Sequence, residues 1–194
     1  MATKAASVPA GTGFTLFLTG LSGAGKSTIA GELVRQIQEL HGRQVTLLDG
    51  DIVREMLSSG LTFSKNDREL NIRRIGYVAA EVTRHGGICV CAAIAPYRSS
   101  RAEARERVAR YGRFYEVYVS TPLAVCEQRD TKGLYARARR GELKSFTGVD
   151  DPFEAPTAPE ISVDASRGNV GDEVKRILAL PIKDGVLKKA AGSA

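Results

Sequence analysis

The sequence predicts a three-layer α/β/α fold on a mostly parallel sheet of about five strands, and three observations carry that reading. Short apolar runs alternate with longer segments whose apolar residues recur at helical spacing. One run, Ile88 to Ile94, is nearly all apolar, as a strand covered on both faces must be. Strands that alternate with helices are joined by right-handed crossovers, which leave them parallel.

The elements follow in order. Phe14 to Thr19 is a short apolar strand that runs into glycines, and Ile29, Leu33, Ile37 and Leu40 then mark the inner stripe of a helix. Val45 to Leu48 reads as the second strand, followed by a helix around Ile52 to Leu57. A longer helix from about Asp67 to Arg84 turns Leu70, Ile75, Val78, Ala79 and Val82 inward. After the third strand, Ser99 or Ser100 can cap the next helix, with Glu103 completing an S-x-x-E box after Ser100. Phe114 to Val119 is the fourth strand, Pro122 begins a helix at about its first turn, and Ile161 to Val163 is a short fifth strand. The last helix spans about Val170 to Leu180. His41 and His85 each close a helix pattern just before a glycine, where a side chain can meet the free carbonyls. Small polar residues with Gly and Pro make 1–13 a flexible tail, and Pro181 to Ala194 a second one, leaving a working domain over 14–180.

With 194 residues, 43% of them hydrophobic, the chain is large enough to bury about 70% of its surface in one core. That excludes overall disorder, and three cysteines exclude a disulfide scaffold or a zinc site. Cys89 and Cys91 alternate on one strand, roughly 6.5 Å apart along it, so they read as core residues rather than a mutual disulfide. Cys126 reads the same way. No apolar run approaches the roughly 20 residues of a membrane helix, and Met1 to Gly13 lacks the pattern of a signal peptide, so the cytoplasm is the expected compartment. The net charge of +6 suits a nucleic acid or a phosphate-rich small ligand equally. In the densest basic stretch, Arg98 to Arg113, Glu103 precedes Arg107 and Glu106 precedes Arg110 by four residues, the spacing of ion pairs on a solvated helix face. A small ligand is therefore expected, with neither nucleic acid nor membrane as partner.

The string Gly20-Leu21-Ser22-Gly23-Ala24-Gly25-Lys26-Ser27-Thr28 fits G-x-x-x-x-G-K-[ST] between a strand and a helix, the context of a phosphate-binding P-loop. Glycines let backbone N–H groups converge on phosphate oxygens at a helix's positive end. Lys26 brings a charge to the β- and γ-phosphates, and Ser27 offers an oxygen to Mg²⁺. Asp49 and Asp51 stand at the carboxyl end of the second strand, where acids can hold Mg²⁺ through water and orient an attacking hydroxyl. The nearest string to a guanine-reading N/T-K-x-D motif, Thr131-Lys132-Gly133-Leu134, ends in leucine, which argues against a GTP-dependent switch.

Beyond these, Asp49-Gly-Asp-Ile-Val-Arg54, Gly60-Leu-Thr-Phe63-Ser64, Asp67-Arg68-Glu-Leu-Asn71-Ile-Arg-Arg74, Pro96-Tyr97-Arg98, Arg129-Asp-Thr-Lys132-Gly-Leu-Tyr135 and Phe146-Thr147-Gly148 follow in order. With the P-loop they make a chain that resembles the adenylylsulfate kinases from about Phe14 to the final helix. The resemblance implies a P-loop NTPase fold and transfer of the γ-phosphoryl of MgATP to the ribose 3′-hydroxyl of adenosine 5′-phosphosulfate. It places Phe63 and Phe146 around an adenine and Arg54, Arg68 and Asn71 at the phosphosulfate. Lys132 would arrive from a mobile segment, Thr147 joins the substrate residues, and Ile94 and Ala95 line the pocket. It implies that Asp49 orients or deprotonates the hydroxyl while Asp51, with Ser27, serves Mg²⁺, roles that could be exchanged. A homodimer, and a sulfate adenylyltransferase as functional partner in sulfate assimilation, are also implied.

Residues 129–156 read as a lid, with glycines at 133, 141 and 148 for hinging and Lys132, Arg137, Arg139, Arg140 and Lys144 for phosphate charge. Two positions depart from the family: Ile52, where asparagine is frequent, and Ala95, where serine usually precedes Pro-Tyr. The alternatives are another P-loop small-molecule kinase and a GTP-dependent switch or binding module.

Overall fold

A computed structural model of the chain describes residues 13–166 and 168–189. The five apolar runs are strands: β1 (Phe14–Thr19), β2 (Val45–Asp49), β3 (Ile88–Ala92), β4 (Arg113–Val119) and β5 (Ile161–Val163). They form one sheet in the order β2-β3-β1-β4-β5, with every pairing parallel. The helices are α1 (Lys26–His41), α2 (Gly50–Met56), α3 (Lys65–Arg84), α4 (Arg98–Ala109), α5 (Leu123–Arg129), α6 (Leu134–Arg139) and α7 (Val170–Lys183).

Strand alternation separates the two faces. Phe14, Leu16 and Leu18 of β1 pack with Ile29, Leu33 and Ile37 of α1 and Ile177 of α7, whereas Phe17 packs with Ile75 and Ala79 of α3, Val108 of α4 and Phe114. The result is helix, sheet, helix. Helices α3 and α4 approach closely because Gly76 has no side chain: a Cβ there would lie 2.9 Å from that of Ala104. Cys89 and Cys91 face the α3/α4 layer as free thiols with their sulfurs 3.7 Å apart, and Cys126 is buried in the other layer.

Several boundaries differ from the sequence reading. Strand β3 ends at Ala92, two residues early, because 93–97 turn irregular at the carboxyl edge. Helix α4 begins at Arg98 with Tyr97 before it, so neither Ser99 nor Ser100 is the cap; the carboxylate of Glu154 accepts from Arg98 N at 2.8 Å instead. Nor is the basic stretch wholly solvated. Glu103 does pair with Arg107 at 3.1 Å, but Arg101 is 3% exposed and paired with Glu116 of β4 at 2.6 Å. The C-terminal tail starts later than Pro181: α7 continues to Lys183, and the N–H groups of Val186 and Leu187 both donate to Pro181 O at 3.0 Å, folding the buried Leu187 onto the core. Proline is tolerated there in the helix's last turn because the chain after it closes back on its carbonyl. His85 caps its own helix at Glu81 O (2.8 Å), while His41 instead meets the carbonyl of Lys188 (2.7 Å). Of the N-terminal tail, Gly13 belongs to the fold, its carbonyl accepting from Arg113 N; residues 1–12 and 190–194 lie outside the described residues.

Candidate active site

The sheet order sends the connections after β1 and β3 to opposite sides, which opens a crevice at the carboxyl ends of the strands. A cavity of about 1150 Å³ occupies that crevice. Its wall includes Ser22, Gly23, Gly25, Lys26, Ser27 and Thr28 of the P-loop, together with Asp49 and Asp51 after β2. It also includes Arg54, Phe63, Arg68, Asn71, Ile94, Ala95, Lys132, Phe146 and Thr147. Three P-loop residues stand behind the wall. Gly20 N donates to Ile94 O, Leu21 O accepts from Lys26 Nζ at 2.6 Å, and Ala24 is core, its carbonyl held by Thr121 Oγ1 at 2.8 Å.

Gly25 is the pivot of the loop. Its φ of 100° belongs to the region glycine alone enters freely, and it turns the chain directly into α1, whose free N–H groups form an anion site. Lys26, the first residue of that helix, is 8% exposed, and burial pulls its ammonium down to about 8, helped by the positive charge of Lys132 and opposed by Cys126, Asp49 and Asp51. Asp49 caps α2 by accepting from Asp51 N (3.0 Å), and its other oxygen accepts from Ser27 Oγ at 2.7 Å. The Ser27 hydroxyl thus pairs with Asp49, while Asp51 forms an ion pair with Lys132; the sequence reading gives Asp51 to Mg²⁺ and Asp49 to the acceptor hydroxyl, as roles that could be exchanged. Among the described residues no three His, Cys, Asp or Glu side chains cluster as a closed metal cage. An open set of hard oxygens, Ser27 with Asp49 and Asp51, suits Mg²⁺, which keeps waters and takes phosphate oxygens with one or two carboxylates.

Opposite the P-loop the wall is cationic and aromatic. Phe63 is 64% exposed, so it is no core residue, and the Arg54 guanidinium lies 4.4 Å from its ring centroid. Phe146 is half-buried, edge-on to Tyr135 at 5.1 Å, and serves both core and cavity. Arg68 is buried: Nη1 donates to Thr147 Oγ1 at 2.8 Å and to Asp151 Oδ2 at 2.9 Å, while Nε has no partner. Asn71 Oδ1, one helical turn on, is also buried without one. Buried polar atoms are nearly always satisfied, and here two unmet ones belong to neighbouring residues of one cavity wall.

Asp151 escaped the sequence reading. It anchors Arg68 and accepts from Tyr97 Oη at 3.1 Å, and burial pushes that phenol up to about 12. Its signal was an acid pair just after Phe146-Thr147-Gly148: Asp150 folds that turn by accepting from Ser145 N and Phe146 N, and Asp151 then faces inward. Arg101 escaped too, and a glutamate in the middle of an apolar strand was the signal for a buried cation.

The segment read as a lid divides in two. Residues 129–145 carry α6, and Lys132, Arg137 and Lys144 line the cavity, whereas Arg139 and Arg140 pair with Glu127 and Glu142 away from it. Residues 146–155 are bonded to the wall: Glu154 N donates to Pro96 O at 2.9 Å, and Arg98 Nε to Ala155 O at 2.9 Å.

A family model described as adenylylsulphate kinase matches residues 12–164. The chain is 52% identical over 166 residues to an adenylyl-sulfate kinase of Gloeothece citriformis, covering 86% of this chain and 92% of that protein. A sulfate adenylyltransferase of Coccidioides immitis is 49% identical over 178 residues, which are 92% of this chain but 31% of that protein. Among solved structures, the Mycobacterium tuberculosis APS kinase in complex with AMPPNP and APS matches with a TM-score of 0.83 at 39% identity, covering 88% of this chain and 98% of that one.

Proposed function

The chain belongs to the adenylylsulphate kinase family, and we propose that the two halves of its cavity divide the substrates of that reaction between them. The enzyme is an ATP-dependent kinase acting on an alcohol: the γ-phosphoryl of ATP passes to the ribose 3′-hydroxyl of adenosine 5′-phosphosulfate. The products are ADP and 3′-phosphoadenosine 5′-phosphosulfate. ATP takes the P-loop half, where backbone N–H groups at the start of α1 and the Lys26 ammonium receive the phosphates. The acceptor takes the half walled by Arg54, Phe63, Arg68, Asn71, Ile94, Ala95, Phe146 and Thr147.

The observation that carries this division is the pair of unmet buried atoms on Arg68 and Asn71, across the cavity from Lys26. Nη1 of the buried Arg68 is spent on Asp151 and Thr147, which fixes the guanidinium in the wall, and its remaining charge favours an anionic group there. An adenine is sandwiched by Phe63, already presented by Arg54, and Phe146.

Mg²⁺ bound with ATP would neutralise phosphate charge, and Ser27 and Asp49 are the residues that would hold it. That leaves Asp51 for the acceptor. Lys132 pairs with Asp51 and offers the same charge to an anionic acceptor, while the Asp51 carboxylate orients the 3′-hydroxyl and takes its proton as the bond to the γ-phosphorus forms and the bond to ADP breaks. Little covalent chemistry is asked of the protein: alignment and charge do the work.

Among the described residues no helix is long and apolar enough to cross a membrane. We read the cytoplasm as the compartment, a homodimer as the assembly and a sulfate adenylyltransferase as the functional partner; sedimentation of the purified chain tests the assembly. Coupled-enzyme release of ADP tests the activity. Turnover is expected with adenosine phosphosulfate and not with gluconate, shikimate or nucleosides, and a preference for any of the latter would overturn the assignment.

A further inference from the structure

Ala95 is a non-glycine residue with φ +45°, in the left-handed region where a side chain is disfavoured, and it lines the acceptor half of the cavity. Such a conformation persists only where the surroundings over-determine it. Here the determinant is visible behind the wall. The Ala95 carbonyl accepts from Arg101 Nη1 at 2.7 Å and from Thr19 Oγ1 at 3.3 Å. The same Thr19 hydroxyl donates to Ile94 O at 2.7 Å, and Ile94 O also receives Gly20 N, the first residue of the P-loop.

The Arg101 guanidinium is fully committed. Nε is held by Glu116 Oε1 at 2.6 Å, and Nη2 donates to Glu154 O at 2.7 Å, in the segment that closes the lid onto Pro96. One buried, planar fork thus joins three things: the sheet through Glu116, the strained acceptor wall through Ala95, and the lid's fixed end through Glu154. A lysine, a point charge without that fork, cannot hold all three at once.

We propose that Arg101, with Thr19, is a positioning residue for the acceptor: it touches no substrate, and it holds Ala95 in its left-handed turn so that the wall at 94–96 fits adenosine phosphosulfate. The inference rests on the assignment of that half of the cavity to the acceptor. Glu116 holds Arg101 in place, and Arg105 Nη2, 3.4 Å from its second oxygen, keeps Glu116 from being left alone in a variant.

The test compares Michaelis constants for both substrates in Arg101→Lys, in Ala95→Gly and in the double variant. In Arg101→Lys the acceptor KM should rise on the order of tenfold with the ATP KM within about twofold, because a displacement of the wall misaligns one substrate only. Glycine enters the left-handed region without a clamp. The loss caused by Arg101→Lys should therefore shrink to about threefold or less on the Ala95→Gly background. Equal losses for the two substrates, or an undiminished loss on that background, would overturn the proposal. If Arg101→Lys does not fold, Thr19→Val decides, since it removes the other donor without unpairing a charge. A selective rise in acceptor KM that Ala95→Gly suppresses supports the clamp, and no selective rise overturns it. Wild-type turnover on adenosine phosphosulfate, measured alongside, tests the underlying assignment separately.

Discussion

Lys26 must neutralise phosphate, yet it sits where burial resists its charge. Its pKa is about 8 in the folded chain against 10.5 in the open one, so between those values the unfolded state binds the extra proton and the lysine's contribution to stability improves as pH rises. Nucleotide has the opposite preference, since its phosphates favour the ammonium. ATP binding at pH 8 should therefore take up about half a proton, read by calorimetry in buffers of different ionisation enthalpy and absent in Lys26→Met. Lys26→Ala should fold and lose roughly 10²- to 10³-fold in kcat, and a near-normal kcat would remove the P-loop from the chemistry. Across the cavity, Asn71→Ala should raise the KM for adenosine phosphosulfate while leaving that for ATP, the loss of one hydrogen bond to a charged group being about 1.5 to 3 kcal/mol. Equal losses in both would place Asn71 elsewhere. The sequence announced Lys26 by spacing alone, because a P-loop is local. Asp151 and Arg101 left only a faint mark, an acid pair after Gly148 and a glutamate inside an apolar strand: each gains its role from a partner more than a dozen residues away, Arg68 for one and Glu116 for the other, and spacing along the chain does not reveal which residues pair.

Elements with a broad apolar stripe or a fully buried run were legible, and one short helix without a stripe was not. Strands β1, β3 and β4 and helices α1 and α3 all fell close to their expected places because burial dictates their pattern. Helix α6 was missed. Its six residues, Leu134 to Arg139, alternate small apolar with arginine and show no helical stripe; it exists because Asp130, in a left-handed turn at φ 25°, accepts the free N–H groups of Tyr135 and Ala136, each at 3.0 Å. Tyr135 in turn donates through its hydroxyl to Ser22 O at 3.0 Å, tying the lid to the P-loop. Asp130→Ala removes that cap, at about 0.5 to 2 kcal/mol of helix stability. A loosened lid admits water, the competing acceptor, so the ratio of ATP hydrolysis to phosphosulfate phosphorylation should rise severalfold. Paired measurement of ADP and 3′-phosphoadenosine 5′-phosphosulfate checks it, and an unchanged ratio would separate α6 from water exclusion.

At the scale of the molecule, a parallel sheet with β1 between β3 and β4 brings the P-loop and the wall at 94–96 to the same edge, where Thr19 holds Ile94 O and Ala95 O and Gly20 N donates to Ile94 O. That placement lets one phosphoryl group cross a single gap, and it bears on whether the enzyme carries the group on the way. The position before Pro96-Tyr97 is alanine, 1% exposed, with no oxygen to accept a phosphoryl group. Of the hydroxyls around the gap, Ser27 Oγ donates to Asp49, Thr147 Oγ1 accepts from Arg68, and Tyr97 Oη donates to Asp151, with its pKa raised to about 12 by burial. A loose transition state needs chiefly alignment and charge, which Lys26, the start of α1 and the Asp49/Asp51 pair supply. Transfer should therefore be direct, with sequential rather than ping-pong kinetics. A chiral γ-phosphoryl group should invert once on its way to the 3′-oxygen, as stereochemical analysis of the product will read. Retention, or a labelled phosphoenzyme formed from ATP alone and chased into product, would overturn direct transfer and require a nucleophile on the enzyme.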